Sequence, residues 1–121
     1  MKPEQFIREY GVEKAREVVE GAPKYAQRYR AGMYLKQGEW TWFWSETSGK
    51  WLQYEKHIYS TSHFDFAVDL PDLKRLVESV DRVNAFGGLK DAKAVVKMGK
   101  HYKYLKAHIS NYESIYGGGD E

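Results

Sequence analysis

The sequence contains no cysteine, which excludes a disulfide framework, a thiolate zinc site and a thiol nucleophile. No stretch approaches the roughly 18 to 20 consecutive apolar residues that a membrane-spanning helix requires. The opening residues MKPEQFIREY lack the apolar run of a secretory signal. A cytoplasmic protein with no membrane partner is expected. Chemistry-bearing motifs are equally scarce. His101 and His108 lie seven apart rather than one helical turn apart, and His57 and His63 straddle a strand-to-loop transition, so no metal site is expected. His63 beside Asp65 is the seed of an acid–base pair, but no serine in a glycine elbow accompanies it. Gly87-Gly88 lacks the longer glycine-bounded run ending in Lys-Ser or Lys-Thr that cradles phosphate, and reads as a tight turn. The expectation is a non-enzymatic protein with no cofactor and no catalytic residues.

What is present is ordinary for one folded core: 121 residues, 42% hydrophobic and 30% charged. A single α+β domain is expected over residues 1–116, followed by a disordered tail at 117–121. The formal charge of +2 conceals a segregation along the chain. Between Lys24 and Lys36 stand four cations and no anion, and between Val83 and His108 six lysines face Asp91 alone. The segment from Gln37 to Arg82 carries eight acids against five bases, and beyond His108 only acids remain. Patches of this kind steer partners.

Apolar spacing organises the ends of the chain into helices. Pro3 opens a first helix carrying Phe6, Ile7 and Tyr10. After Gly11, Val12, Ala15, Val18 and Val19 recur at helical spacing until Gly21-Ala22-Pro23. Asp69 and Pro71 start a long amphipathic helix with the stripe Leu70, Leu73, Leu76, Val77, Val80 and Val83, ending near Phe86-Gly87-Gly88. Two more helices follow, from Leu89 to about Gly99 and from about His101 to Tyr116. Val12, Ala15, Val18 and Val19 share their offsets with Leu89, Ala92, Val95 and Val96, each set following a glycine, so a helix–glycine–helix unit occurs twice.

The middle of the chain is aromatic and β-favouring. A three-stranded antiparallel meander is expected at about Arg28 to Lys36, Glu39 to Glu46 and Lys50 to Ile58, followed by a loop from Tyr59 to Val68. Trp40, Trp42 and Trp44 alternate with Thr41, Phe43 and Ser45, which puts three indoles on one face, with Trp51 and Tyr54 pairing from the next strand. Aromatic residues make up 16% of the chain, more than a small helical core needs. Indoles left at the surface serve as anchors for a protein partner or as stacking platforms for bases.

Three phrases, EQFIREYGVEKAREVVEGAP, YRAGMYLKQGEWTWFWSETSGKWLQY and LPDLKRLVESVDRVNAFGGLKDAK, together with the later YESIYG, resemble small accessory proteins encoded by lambdoid phages and enterobacterial prophages. The resemblance covers most of the chain and brings no catalytic motif with it. It implies a protein that binds a host or defence-system component, as anti-CRISPR inhibitors do. A strongly acidic imitation of DNA does not fit a slightly basic chain. The residues expected at the partner are Trp40, Trp42, Trp44, Tyr54, Arg28 and Arg30. The alternative is nucleic-acid binding, with Lys93, Lys97, Lys100 and Lys103 forming a cationic helical stripe that neutralises phosphates.

Overall fold

The computed structural model describes residues 1–38, 40–53, 64–99 and 103–117. Its elements run α1 (Pro3–Tyr10), α2 (Val12–Glu20), β1 (Arg28–Arg30), β2 (Met33–Gln37), β3 (Thr41–Ser45), β4 (Lys50–Gln53), β5 (Val68–Asp69), α3 (Leu70–Ala85), α4 (Leu89–Met98) and α5 (Lys103–Tyr116). The α+β class with flanking helices is as expected. The three-stranded meander is not: the sheet has five strands in the order β4-β3-β2-β1-β5, every neighbouring pair antiparallel.

Two departures produce the difference. Ala31-Gly32 breaks the first expected strand into a β1–β2 hairpin, in which Arg30 pairs with Met33 and both turn residues have positive φ, 49° and 85°. That geometry matches the right-handed twist of the flanking strands. Alanine rarely adopts it, so the pair is a weaker turn signal than Asn-Gly. Val68–Asp69, expected as the end of a loop and a helix cap, also pairs with β1, Arg28 opposite Asp69 and Tyr29 opposite Val68. Asp69 still caps α3, its carboxylate accepting from the Asp72 N–H at 3.1 Å. The expected strand segment beyond Gln53 and the first half of the expected loop, residues 59–63, lie outside the described residues, as do residues 118–121 of the expected tail.

Register sorts the sheet into two faces, because residues opposite one another share a side. One face carries Tyr29 opposite Tyr34, Lys36 opposite Trp42, and Trp44 opposite Trp51. Tyr29, Tyr34, Trp44, Trp51 and Val68 there join the main core with Phe6, Ile7, Ala15 and Val18 of the first two helices. The other face carries Arg28, Leu35 and Phe43, where Leu35 and Phe43 pack with Phe64 and Ala67.

The stripe on α3 is buried as expected, with Leu73, Leu76 and Val83 fully enclosed. Its first three turns belong to the main core, and Val83 belongs to a second cluster with Ala92, Leu105 and Ile109 of α4 and α5. The duplicated unit also has a structural counterpart. Gly11 and Gly88, at φ 90° and 115°, precede α2 and α4. Each offers its carbonyl to the alanine four residues on, and Ala15 and Ala92 are fully buried.

Polar contacts tie the helices together at defined points. Arg16 of α2 reaches Asp81 of α3 at 2.6 Å. Arg8 of α1 donates to the carbonyls of Ile115 and Ser114 at 2.6 and 2.8 Å, satisfying acceptors that the end of α5 leaves without intrahelical partners. Ser79 of α3 is fully buried, its hydroxyl 2.7 Å from His108 Nδ1 and accepting from Asn111 Nδ2 at 2.9 Å. Arg75 then donates to Asn111 Oδ1 at 2.6 Å. Enclosure of the Ser79 hydroxyl makes this serine–histidine contact a fastening between α3 and α5.

Tyr34 fastens sheet to helix. Its hydroxyl donates to the Val18 carbonyl at 2.6 Å, another acceptor in the last turn of a helix. Burial raises the phenol above its ordinary value, with Tyr29 and Glu46 adding to the shift. A raised folded-state value means that this contribution to stability is complete below the unfolded phenol value, about 10, and is lost as pH rises through the folded value. Tyr34→Phe is therefore expected to lower unfolding free energy at neutral pH by about 1 kcal/mol. It should also flatten the alkaline limb of the stability profile, measured by denaturant titration from neutral to alkaline pH.

Candidate partner-binding surface

The six residues expected to meet a partner do not form one surface. Trp42 and Trp44 lie on the helix-packed face, whereas Arg28 and Arg30 project from the opposite one. Trp40 precedes β3 in the turn that follows β2. Tyr54 lies outside the described residues.

The described members have distinct roles set by their neighbours. Trp44 is half-buried against the main core and meets Trp51 edge to face, ring centroids 5.5 Å apart at 70°. Arg28 is committed to the far side of the sheet, its guanidinium 4.6 Å from the Phe64 ring centroid and donating to the carbonyls of Phe64 and Asp65 at 3.0 and 3.2 Å. Arg30 repeats that stacking two residues on, 5.6 Å from the Phe66 centroid. The paired Arg–Phe contacts hold the segment before β5 against β1. Such contacts cannot be read from sequence, because nothing local links residues 28 and 30 to 64 and 66.

Trp42 and Trp40 stand where a partner could reach them. Trp42 lines a hollow of about 520 Å³ with Tyr25, Ala26, Gln27, Lys36 and Gly38. The Gly38 N–H donates to the Trp40 carbonyl at 3.0 Å, which fixes the Trp40 turn beside this hollow. Tyr25 is 68% exposed and Trp40 36%. Tyr25 sits at φ 75°, a left-handed conformation that non-glycine residues rarely adopt.

Lysines complete the surface. The Lys36 ammonium lies among three rings, 4.8 Å from the Trp51 centroid, 5.7 Å from Tyr25 and 5.9 Å from Trp42. Lys24 also approaches the cluster, 5.2 Å from the Tyr25 centroid. Cation–π attraction of this kind contributes about 0.5 to 1 kcal/mol at exposed sites and keeps two positive charges over an aromatic patch. The sequence reading missed Tyr25 and Lys36. Their signal in the sequence is the acid-free run from Lys24 to Lys36, which shows charge without showing which rings it meets.

The lysine stripe is only partly described. Lys97 and Lys103 are exposed, but Lys93 is partly buried and pairs with Glu113 of α5 at 2.7 Å, and Lys100 lies outside the described residues. Among the described residues no three His, Asp or Glu side chains gather closely enough to hold a metal ion. His57, His63 and His101 are outside those residues, and Asp65 is exposed. No described helix is long and apolar enough to cross a membrane. No family model, curated protein or solved structure matches the chain.

The packing predicts a clear division among substitutions. Trp44→Ala and Arg28→Ala should each lower unfolding free energy by about 2 kcal/mol. Trp40→Ala should stay within about 0.5 kcal/mol of the parent protein, and Tyr25→Ala, which removes a ring with two cation–π contacts, should cost about 1 kcal/mol. Urea denaturation followed by far-UV circular dichroism checks all four.

Proposed function

We propose that this chain is a non-enzymatic, phage-type accessory protein that binds and modulates a host or defence-system protein, with Tyr25, Lys36, Trp40 and Trp42 at the contact. The observation that carries the reading is the exposure of Tyr25 and Trp40 beside a hollow lined by Trp42 and Lys36. Large aromatic side chains held on a folded surface lose little entropy on binding and dominate interface energetics. The two lysines over the rings favour an acidic partner surface. Arg28 and Trp44 drop out of the contact set because their side chains support the fold.

Nucleic-acid binding is the second reading, supported by exposed Lys90, Lys97, Lys103 and Lys106. Lys93, spent on Glu113, weakens the stripe.

Affinity capture from an infected or prophage-bearing enterobacterial lysate, followed by mass spectrometry, tests the first reading. The parent chain should retain a protein that the Tyr25→Ala/Trp40→Ala double variant loses about tenfold or more, consistent with anchors contributing about 1.4 kcal/mol or more together. Equal retention by both proteins removes this surface from the interaction. A gel shift at low salt that weakens steeply as salt is raised transfers the function to the lysines.

A further inference from the structure

Two short backbone features build the walls of the hollow that Trp42 lines. Lys24 and Tyr25 occupy the central positions of a turn closed by the Ala26 N–H on the Pro23 carbonyl at 3.1 Å. Tyr25, at the second of these, has the positive φ that such a turn can place there. The Gln27 N–H then donates to the Leu35 carbonyl at 2.9 Å, which holds the end of the turn against β2, one residue from Lys36. The exposed Tyr25 ring and the ammonium of Lys24 are therefore presented from a fixed backbone beside the ammonium of Lys36.

The polar groups offered here are hydrogen-bond donors. Lys36 meets only ring faces, and among the described residues no carboxylate lines the hollow or pairs with Lys24 or Lys36. The Gln37 N–H donates to Gln27 Oε1 at 2.8 Å, which leaves the NH2 as the unspent half of the Gln27 amide. Glu17 and Glu46 line a separate hollow beside Tyr34. An ammonium held among three rings has already lost much of its rotamer freedom, so a carboxylate that meets it is spared that cost.

We infer that the hollow takes a glutamate or aspartate side chain from an acidic segment of the partner, its carboxylate on the Lys36 ammonium and the Gln27 NH2, with Lys24 adding attraction at the rim. This assignment rests on the protein-binding reading of the surface and names the chemistry that the surface recognises. At about 520 Å³ the hollow has room for more than one carboxylate, and its aromatic walls, Tyr25 and Trp42, suit apolar side chains flanking the acid. The charge-assisted hydrogen bonds set the position of the acid, and the rings cover its neighbours.

The probes are a capped peptide of alternating valine and glutamate, its counterpart with glutamine at every glutamate, and an oligo-dT strand of matched length. Each is titrated into the full chain and followed by amide chemical shifts. The glutamate peptide should give saturable shifts centred on Tyr25, Gln27 and Lys36, and the glutamine peptide should bind about tenfold or more weakly. Lys36→Met keeps an unbranched apolar stem among the rings and removes the charge. It should weaken the glutamate peptide about fivefold or more, and Lys36→Arg should restore most of the affinity. Lys24→Glu, in the exposed turn, should also weaken it and gives the same reading should Lys36→Met not fold. Glu39→Gln, which removes the acid nearest the hollow in sequence, should leave binding equal or tighter. Equal affinity for the two peptides, unchanged affinity in a folded Lys36→Met variant, tighter binding of oligo-dT, or no saturation by about 5 mM overturns the assignment. Lysate capture that depends on Tyr25 and Trp40 while the glutamate peptide fails to bind overturns the carboxylate site and leaves the protein-binding surface in place.

Discussion

Burial of the apolar stripe on α3 is the constraint from which the remaining arrangement follows. Leu73, Leu76, Val77 and Val80 meet α1, α2 and the sheet, while Val83 reaches the separate cluster built with α4 and α5. Each such side chain removed from water contributes roughly 1.5 to 3 kcal/mol, and this helix, like α5 with Ile115 in one cluster and Leu105 and Ile109 in the other, belongs to both. Its start is placed by Asp69, which is at once the helix cap and a residue of β5. The same few atoms therefore set the phase of the stripe and the position of the sheet edge.

The sheet divides labour between its faces. On the helical side the aromatic residues grade from structural to available: Tyr34 is buried and bonded, Trp44 and Trp51 are half-covered, and Trp42 opens into a hollow. On the other side arginines stack on phenylalanines and bond to main-chain carbonyls. A count of aromatic residues treats all of these alike. Their partners determine which ones carry the fold and which can serve an outside molecule.

The helices were legible from the sequence because each carries a strong local signal: Pro3, Gly11, the Asp69–Pro71 start, and apolar spacing throughout. The duplicated glycine unit was legible for the same reason. The sheet was less so. Ala31-Gly32 is a turn signal in the sequence, yet one made by a residue that seldom adopts positive φ does not by itself show that the strand folds back there, and a two-residue strand such as Val68–Asp69 has no period to detect. The candidate surface was legible only in part. Trp40 and Trp42 follow from alternation, but the association of Tyr25 with Lys36, and the removal of Arg28 to the far face, depend on register between strands. Register is a long-range property that a local pattern leaves open.

The bond from Arg8 to the last carbonyls of α5, together with Ile7 and Ile115 in one core, joins residues more than a hundred positions apart. During synthesis the first helix emerges long before its partner exists. Its guanidinium cannot meet these carbonyls, nor Ile7 meet Ile115, until residue 115 has cleared the ribosome exit tunnel. The domain therefore closes after translation has passed its final helix, and any chain cut short before that helix is left with an open seam.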